Sequence, residues 1–302
     1  MSEPLRPQPT PFFIVGAQRS GTTMLRLMLN AHSRLCVPFE SRFIPDFCRR
    51  QAAFGDLRVI DHMRALLDAI AEDEFVRKGR LVPDKEAVLQ RNPQTYAQLV
   101  DAVFASVASA DGKQRWGDKT PSYLLEMDAL WTLFPGCRFI HLVRDGRDVA
   151  LSLKSLSWGS KDLLRVAQDW RWKVTLGRKM GRMVPDHYLE IHYEDLVASP
   201  RDTLRRVCEF IDEPFEERML CYSDTAVDAM PAGSLVWHRS SVRQPDGSKA
   251  GAWRTQLGRV DQAIFDGVAG DALAAFGYPR AGLQRSLATR LRFARYALLG
   301  RA

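Results

Sequence analysis

The 302-residue sequence predicts an α/β fold, a parallel β-sheet flanked by helices on both faces. Three observations predict it. Short apolar runs at residues 11–16 (PFFIVG), 138–143 (RFIHLV) and 187–193 (HYLEIHY) have the length and composition of buried strands. Each feeds a helical stretch: TTMLRLMLNAH, GRDVALSLKS and EDLVASPRDTLRRVCEFI. Finally, the region between the first two strands, about 43–110, is mostly helical in pattern and without a strong strand signal, as expected of a helical insertion capping the sheet edge. Residues 223–251 lack periodicity and read as a long ordered loop. No internal repeat and no clear linker interrupts the chain, so a single domain over 1–302 is expected.

Composition narrows the class without choosing a function. The chain is 46% hydrophobic and 26% charged, ordinary for a globular core. Forty-three Lys and Arg against 36 Asp and Glu leave a net charge of +7, which favours an anionic ligand of some kind. The five cysteines (Cys36, Cys48, Cys137, Cys208, Cys221) form no CxxC pair and no metal-ligand spacing, a pattern of buried thiols in a reducing compartment. With no apolar stretch long enough for a signal peptide or a membrane span, a cytoplasmic location is expected. The last helix, about 281–299, belongs to a segment with five arginines and no acid. Peripheral membrane contact is one reading of it; a solvated helix face is the plainer one.

The first strand is followed by GAQRSGTT, residues 16–23, and then a helix. That order presents backbone N–H groups and a positive helix end to an anion. Gly16 and Gly21 have the spacing of a P-loop, GxxxxGK[ST], but Thr22 stands where an ATPase carries its lysine. A cation lies inside the loop instead, Arg19, between Gln18 and Ser20, and Thr22 and Thr23 add hydroxyls at the helix start. The second strand also departs from the nucleotide-kinase pattern. Where an acid commonly helps to hold magnesium, this chain has Arg144, followed by Asp145, Gly146, Arg147 and Asp148. Arginine suits an isolated phosphate, which it grips with two parallel N–H donors. Ser152, eight residues on, would reach the same anion from the next helix, whereas Arg147 is better read as pairing with Asp145 and Asp148.

The GxxRSGTT loop and the VRDGRDVALS segment together resemble the two elements by which sulfotransferases bind 3′-phosphoadenosine 5′-phosphosulfate (PAPS). The resemblance implies that the first holds the 5′-phosphosulfate and the second the 3′-phosphate. RLCVPFESRFIP is similar to the segment that supplies a catalytic glutamate in tyrosylprotein and heparan sulfotransferases, and WGDKTPSYL to the one carrying a catalytic lysine. HYEDLVASP and GAWR also resemble family segments, so the likeness runs from about residue 11 to 253 and is weakest over 43–110, where acceptor specificity is expected. The resemblance implies a P-loop-like fold with an acceptor-side cap. The reaction it implies is metal-free in-line transfer of a sulfuryl group from PAPS to a hydroxyl, releasing 3′,5′-adenosine bisphosphate.

Such a transfer needs in-line oxygens, a base for the nucleophile and a cation for the leaving oxygen. Glu40, 21 residues after Arg19, is the candidate base. Its spacing alone fits a surface Glu–Arg pair with Arg42 equally well; the resemblance favours catalysis, with burial expected to raise its pKa. Cytosolic phenol and steroid sulfotransferases use a histidine two residues after the lysine, where this chain has Pro121. Lys119 would neutralise the leaving oxygen, sharing that role with Arg19, and Asp118 would be the lysine's structural partner. By analogy Tyr193, Ser234 and Lys249 would also line the nucleotide site, although Tyr193 fits a core position almost as well. Trp253 and Arg254 either hold the adenine or pack. His141 and His192 read as core residues, and His32 and His238 carry no role. The acceptor, whether small molecule, glycan, lipid or tyrosyl peptide, is left open. The alternative function is a P-loop nucleotide kinase or phosphotransferase, which would need the absent GK[ST] and strand-end acid. A binding protein without chemistry would not need both Glu40 and Lys119, and no nucleic-acid recognition pattern is present.

Overall fold

The computed structural model describes residues 10–231, 233–238 and 241–282. Its first strand, β1 (Phe12–Val15), is fully buried and feeds α1 (Thr22–Asn30). Alternation along the strand sends Phe13 and Val15 into one apolar cluster and Phe12 and Ile14 into another, one on each face of the sheet. A two-residue strand β2 (Leu35–Cys36) follows, then five helices: α2 (Ile44–Arg50), α3 (Ile60–Ala71), α4 (Glu74–Gly79), α5 (Lys85–Leu89) and α6 (Tyr96–Ala110). Next come β3 (Arg115–Lys119), α7 (Met127–Leu133), β4 (Arg138–Val143), α8 (Gly146–Lys154) and α9 (Leu163–Gly181). Beyond them lie β5 (Tyr188–His192), α10 (Tyr193–Ala198) and α11 (Pro200–Phe210). Short helix α12 (Leu235–His238) interrupts the expected long loop, α13 (Trp253–Gln256) follows it, and α14 (Arg259–Ala275) packs on α9. The expected basic helix lies almost wholly in residues 283–302, outside those described. Among the described residues no helix is long and apolar enough to cross a membrane.

All strand pairs are parallel, in the order β2-β3-β1-β4-β5. The chain moves to one side of β1 for β2 and β3, then to the other for β4 and β5. The carboxyl end of β1 is therefore a topological switch point, where loops diverge and leave a crevice.

Two of the five strands lacked an apolar run of strand length, β2 because it has only two residues. β3 reads RWGDK, yet every residue of it is buried. The burial is tolerable because each polar side chain has a partner. Arg115 bonds the carbonyls of Thr10 and Ile211, and the Trp116 indole donates to Asp101 at 2.8 Å. Asp118 and Lys119 are held by polar partners in the cleft at the strand's carboxyl end. Of the two strand histidines, His141 is fully buried against the Tyr188 hydroxyl at 2.6 Å. His192 is only partly buried and bonds Tyr278 at 3.1 Å.

Candidate active site

The carboxyl ends of β1, β4 and β5 deliver residues of the loop 16–21, Arg144 and Tyr193 to one cleft of about 940 Å³, and Lys119, at the end of β3, lies buried behind its Glu40 and Thr23 wall. Glycine is required at both loop positions. A Cβ on Gly16 would sit 2.5 Å from the Leu142 carbonyl oxygen, and one on Gly21 would sit 2.5 Å from the Tyr193 ring. Gly21 also has φ 95°, in the left-handed region. Arg19 takes φ 68° without that freedom, a strained conformation of the kind kept where a loop is fixed around a ligand. Thr22 and Thr23 are buried at the start of α1, whose first amides have no intrahelical acceptor. The Ser20 hydroxyl is buried with no hydrogen-bond partner, as the wall of an anion site would leave it. Gln18 is exposed at the cleft edge.

The sheet register explains why Glu40 meets Lys119. Cys36 pairs with Trp116 in parallel, so the chain leaving β2 runs alongside the end of β3. Glu40 Oε1 accepts from Lys119 Nζ at 2.6 Å, while Oε2 accepts from Arg42 Nη2 at 2.8 Å and Nε at 3.1 Å. Lys119 Nζ also lies 3.3 Å from Thr23 Oγ1, so the ammonium stands between the carboxylate and the phosphate loop. It is wholly buried, not a solvated loop lysine. The expected rise in the Glu40 pKa is not found. Burial does push it upward, but the Lys119 and Arg42 charges and hydrogen bonds prevail and hold it at about 2. Burial draws the Lys119 pKa down, and the Glu40 charge opposes it; at this separation the pair is carboxylate and ammonium.

Asp118 is not bonded to Lys119. It accepts from Ser41 Oγ and from Thr120 Oγ1 (2.8 Å), and Ser41 Oγ is 2.9 Å from the Tyr123 hydroxyl. Ser41 N in turn donates to Thr120 Oγ1 at 3.2 Å. This buried knot fastens the Glu40 segment to β3. Burial raises the Asp118 pKa to about 6 against the pull of those hydrogen bonds.

A second group of donors lies at the end of β4. Arg144 stacks on the Tyr193 ring at 4.2 Å and donates to the carbonyls of Arg19 (3.2 Å) and Lys249 (2.9 Å). Its Nε is buried without a partner, a donor free for an anion. Arg19, expected to share the leaving-group role with Lys119, makes its hydrogen bonds elsewhere. Its Nε donates to Ser152 Oγ at 3.0 Å and Nη1 to the Trp237 carbonyl at 3.1 Å, which places its charge with Arg144 and Ser152. Burial, then repulsion from Arg144, lowers its pKa. Arg147 is structural, but its second carboxylate is Asp266 rather than Asp148. Asp148 instead accepts the backbone N–H of Gly251 (2.7 Å) and of Trp253 (2.8 Å), holding the Lys249 segment against the cleft. Trp253 packs under the Arg147 guanidinium at 3.4 Å, which makes it a packing residue here; Arg254 lies over its ring. Ser234 lines the cleft with its hydroxyl donating to the Pro231 carbonyl at 2.7 Å, and Lys249 lines it exposed.

Sequence reasoning missed the wall opposite Glu40. His238 on α12 lines the cleft with Nδ1 buried and unpartnered. Burial, and then the Lys119 and Arg19 charges, push its pKa down to about 4, so it is neutral at physiological pH. Phe75, Trp158 and Trp237 complete that mouth. Phe75 comes from α4, Trp237 from the four-residue α12 and Trp158 from an irregular segment, where no motif or periodicity marks them.

The phosphate loop thus lacks the kinase lysine and faces a cluster of arginines, with a buried carboxylate–ammonium pair against Thr23 at its end. The chain belongs to the sulfotransferase family: the family model described as "Sulfotransferase family" matches residues 11–217. Its likeness to a protein-tyrosine sulfotransferase of Drosophila melanogaster is 25% identity over 70% of this chain, although that match spans only 40% of the fly protein. The nodulation protein NoeE of Sinorhizobium fredii is 26% identical, over 92% of this chain and 68% of its own length. Among solved structures, the sulfotransferase domain of the Synechococcus PCC 7002 olefin synthase superposes with a TM-score of 0.62 at 26% identity, covering 92% of this chain and 98% of that domain.

Proposed function

We propose that this chain transfers a sulfuryl group from PAPS to an acceptor hydroxyl and releases 3′,5′-adenosine bisphosphate. The observation that carries the reading is the buried Lys119–Glu40 pair set against Thr23 of the phosphate loop. In the transfer, the sulfur–oxygen bond to the 5′-phosphate breaks as a bond to the acceptor oxygen forms. Charge develops on the phosphate oxygen, where the loop amides and Lys119 meet it, and the acceptor proton passes to Glu40. Arg42 keeps Glu40 oriented. Paired with two cations, Glu40 is a weak base; turning Lys119 toward the leaving oxygen would leave only Arg42 on it and restore its basicity.

Gly16, Gln18, Ser20, Gly21, Thr22 and Thr23 form the 5′ site in this reading. Arg144 and Ser152, with Arg19 beside them, form the 3′-phosphate site, and Tyr193, Ser234 and Lys249 complete the nucleotide walls. Arg144→Ala should therefore weaken 3′,5′-adenosine bisphosphate binding by about 10- to 100-fold, the range for a charge-assisted contact, and leave adenosine 5′-phosphosulfate nearly unaffected. Equal losses for both ligands, measured by calorimetry, would remove Arg144 from the 3′ site.

The helical insertion would cap the acceptor side through α4, from which Phe75 and Lys78 reach the cleft. The acceptor is a hydroxyl on a small molecule, glycan, lipid or tyrosyl peptide. The five cysteines, all free, support a reducing, cytoplasmic setting. Incubation with [35S]PAPS, EDTA and a panel of such acceptors tests the activity. Labelled product and nucleotide bisphosphate released in equal amounts are expected. Magnesium-dependent phosphoryl transfer from ATP, with no labelled product, would favour the kinase alternative.

A further inference from the structure

The acceptor end of the cleft holds a cation that the transfer chemistry does not use. Lys78, near the end of α4, is half-buried, and no carboxylate partners it among the described residues. Its ammonium lies 5.8 Å from the centroid of Phe39 and 5.9 Å from that of Trp237. Lys119 lies 5.6 Å from the same Phe39 ring, so the two ammoniums are separated by no more than the sum of those two distances. The other cation on this side, Arg42, is consumed by Glu40 and stacked on Phe75 at 4.0 Å. Around Lys78 the mouth is apolar: Phe39, Phe75, and the Trp158–Trp237 edge-to-face pair at 6.5 Å.

A half-buried lysine whose described contacts are ring faces has no counter-charge of its own and can answer an anion's. A polyhydroxylated neutral sugar or a plain hydrocarbon would leave the charge unanswered. From this geometry, and resting on the sulfotransferase reading, we propose that the acceptor is an amphiphilic hydroxyl compound. Its apolar or aromatic body fills the ring-lined mouth, and an anionic group on that body, within reach of the reacting hydroxyl, pairs with Lys78. Lys78 is thus a specificity residue and takes no part in bond making.

A matched pair of phenols isolates the charge: 3-(4-hydroxyphenyl)propionate and its neutral amide. Both kcat/KM with PAPS and Kd for the protein loaded with 3′,5′-adenosine bisphosphate are measured. Wild type should favour the acid by about tenfold, as for one part-buried charge pair. Lys78→Gln should bring the ratio close to one, and Lys78→Glu should invert it. Affinity for the bisphosphate should stay within about twofold in both variants. A wild-type ratio of one, or a preference that survives Lys78→Gln, overturns the proposal. So does a loss of bisphosphate affinity in Lys78→Gln, which would assign the lysine to the donor. Absence of bisphosphate binding in the wild type would instead sink the sulfotransferase reading beneath it.

Discussion

Lys119→Ala should lower kcat by about a thousandfold or more, the scale of losing a preorganised donor at developing charge, while bisphosphate affinity changes only a few-fold. The split is expected because the proposed site offers the nucleotide other contacts: the loop amides, the Ser20 and Thr22 hydroxyls and the Arg144 cluster. The fold should tolerate the change. Glu40, freed of Lys119, still has two hydrogen bonds from Arg42. A variant with full activity would remove Lys119 from the mechanism, whereas one that also lost nucleotide binding would make the lysine a ligand of the ground state.

Glu40→Gln should retain nucleotide binding and lose turnover. The amide keeps the side-chain shape but cannot take the acceptor proton. It also leaves the Lys119 ammonium buried without its counter-charge, a change on the order of 3 kcal/mol that a lowered Tm would register. The sign of the pH dependence follows from the depressed pKa. Glu40 in the fold sits near 2 against 4.5 for the free side chain, so its contribution to stability is complete above 4.5 and fades as pH falls towards 2. The acid limb of kcat/KM, which reports the free protein, should likewise lie below the usual carboxylate range. An acid limb near 6 would instead point to Asp118, whose burial raises its pKa to about that value, and to the knot with Ser41 and Thr120 as the controlling group. A fully active Glu40→Gln protein would direct the search for a base to His238, the neutral group across the cleft.

The parts legible in sequence were those whose physics is local. An apolar strand, two glycines and a helix start are a contiguous pattern, and β1, β4 and β5 came from the same kind of signal. β3 was invisible as a strand because its polar side chains are buried by partners far along the chain, such as Ile211 for Arg115 and Asp101 for Trp116. Glu40 and Lys119 were identified by resemblance; their contact depends on the β2–β3 register, which no local pattern encodes. The pKa of Glu40 was misjudged for the same reason. Burial could be guessed, but the two cations that outweigh it could not. Arg19 was placed in the correct loop, yet its head turns to Ser152, on a helix far along the chain. His238 was given no role, and Phe75 and Lys78 went unmarked, because packing alone brings α4 and α12 to the cleft.

The cleft should hold a 3′-phosphorylated adenine nucleotide through backbone, hydroxyls and arginines. Calorimetric titration of 3′,5′-adenosine bisphosphate and of ATP, each with EDTA and each with magnesium, tests it most directly. Tight binding of the bisphosphate that is indifferent to magnesium, with little response to ATP, is the expected result. Magnesium-dependent binding of ATP, with the bisphosphate weak or silent, would contradict it.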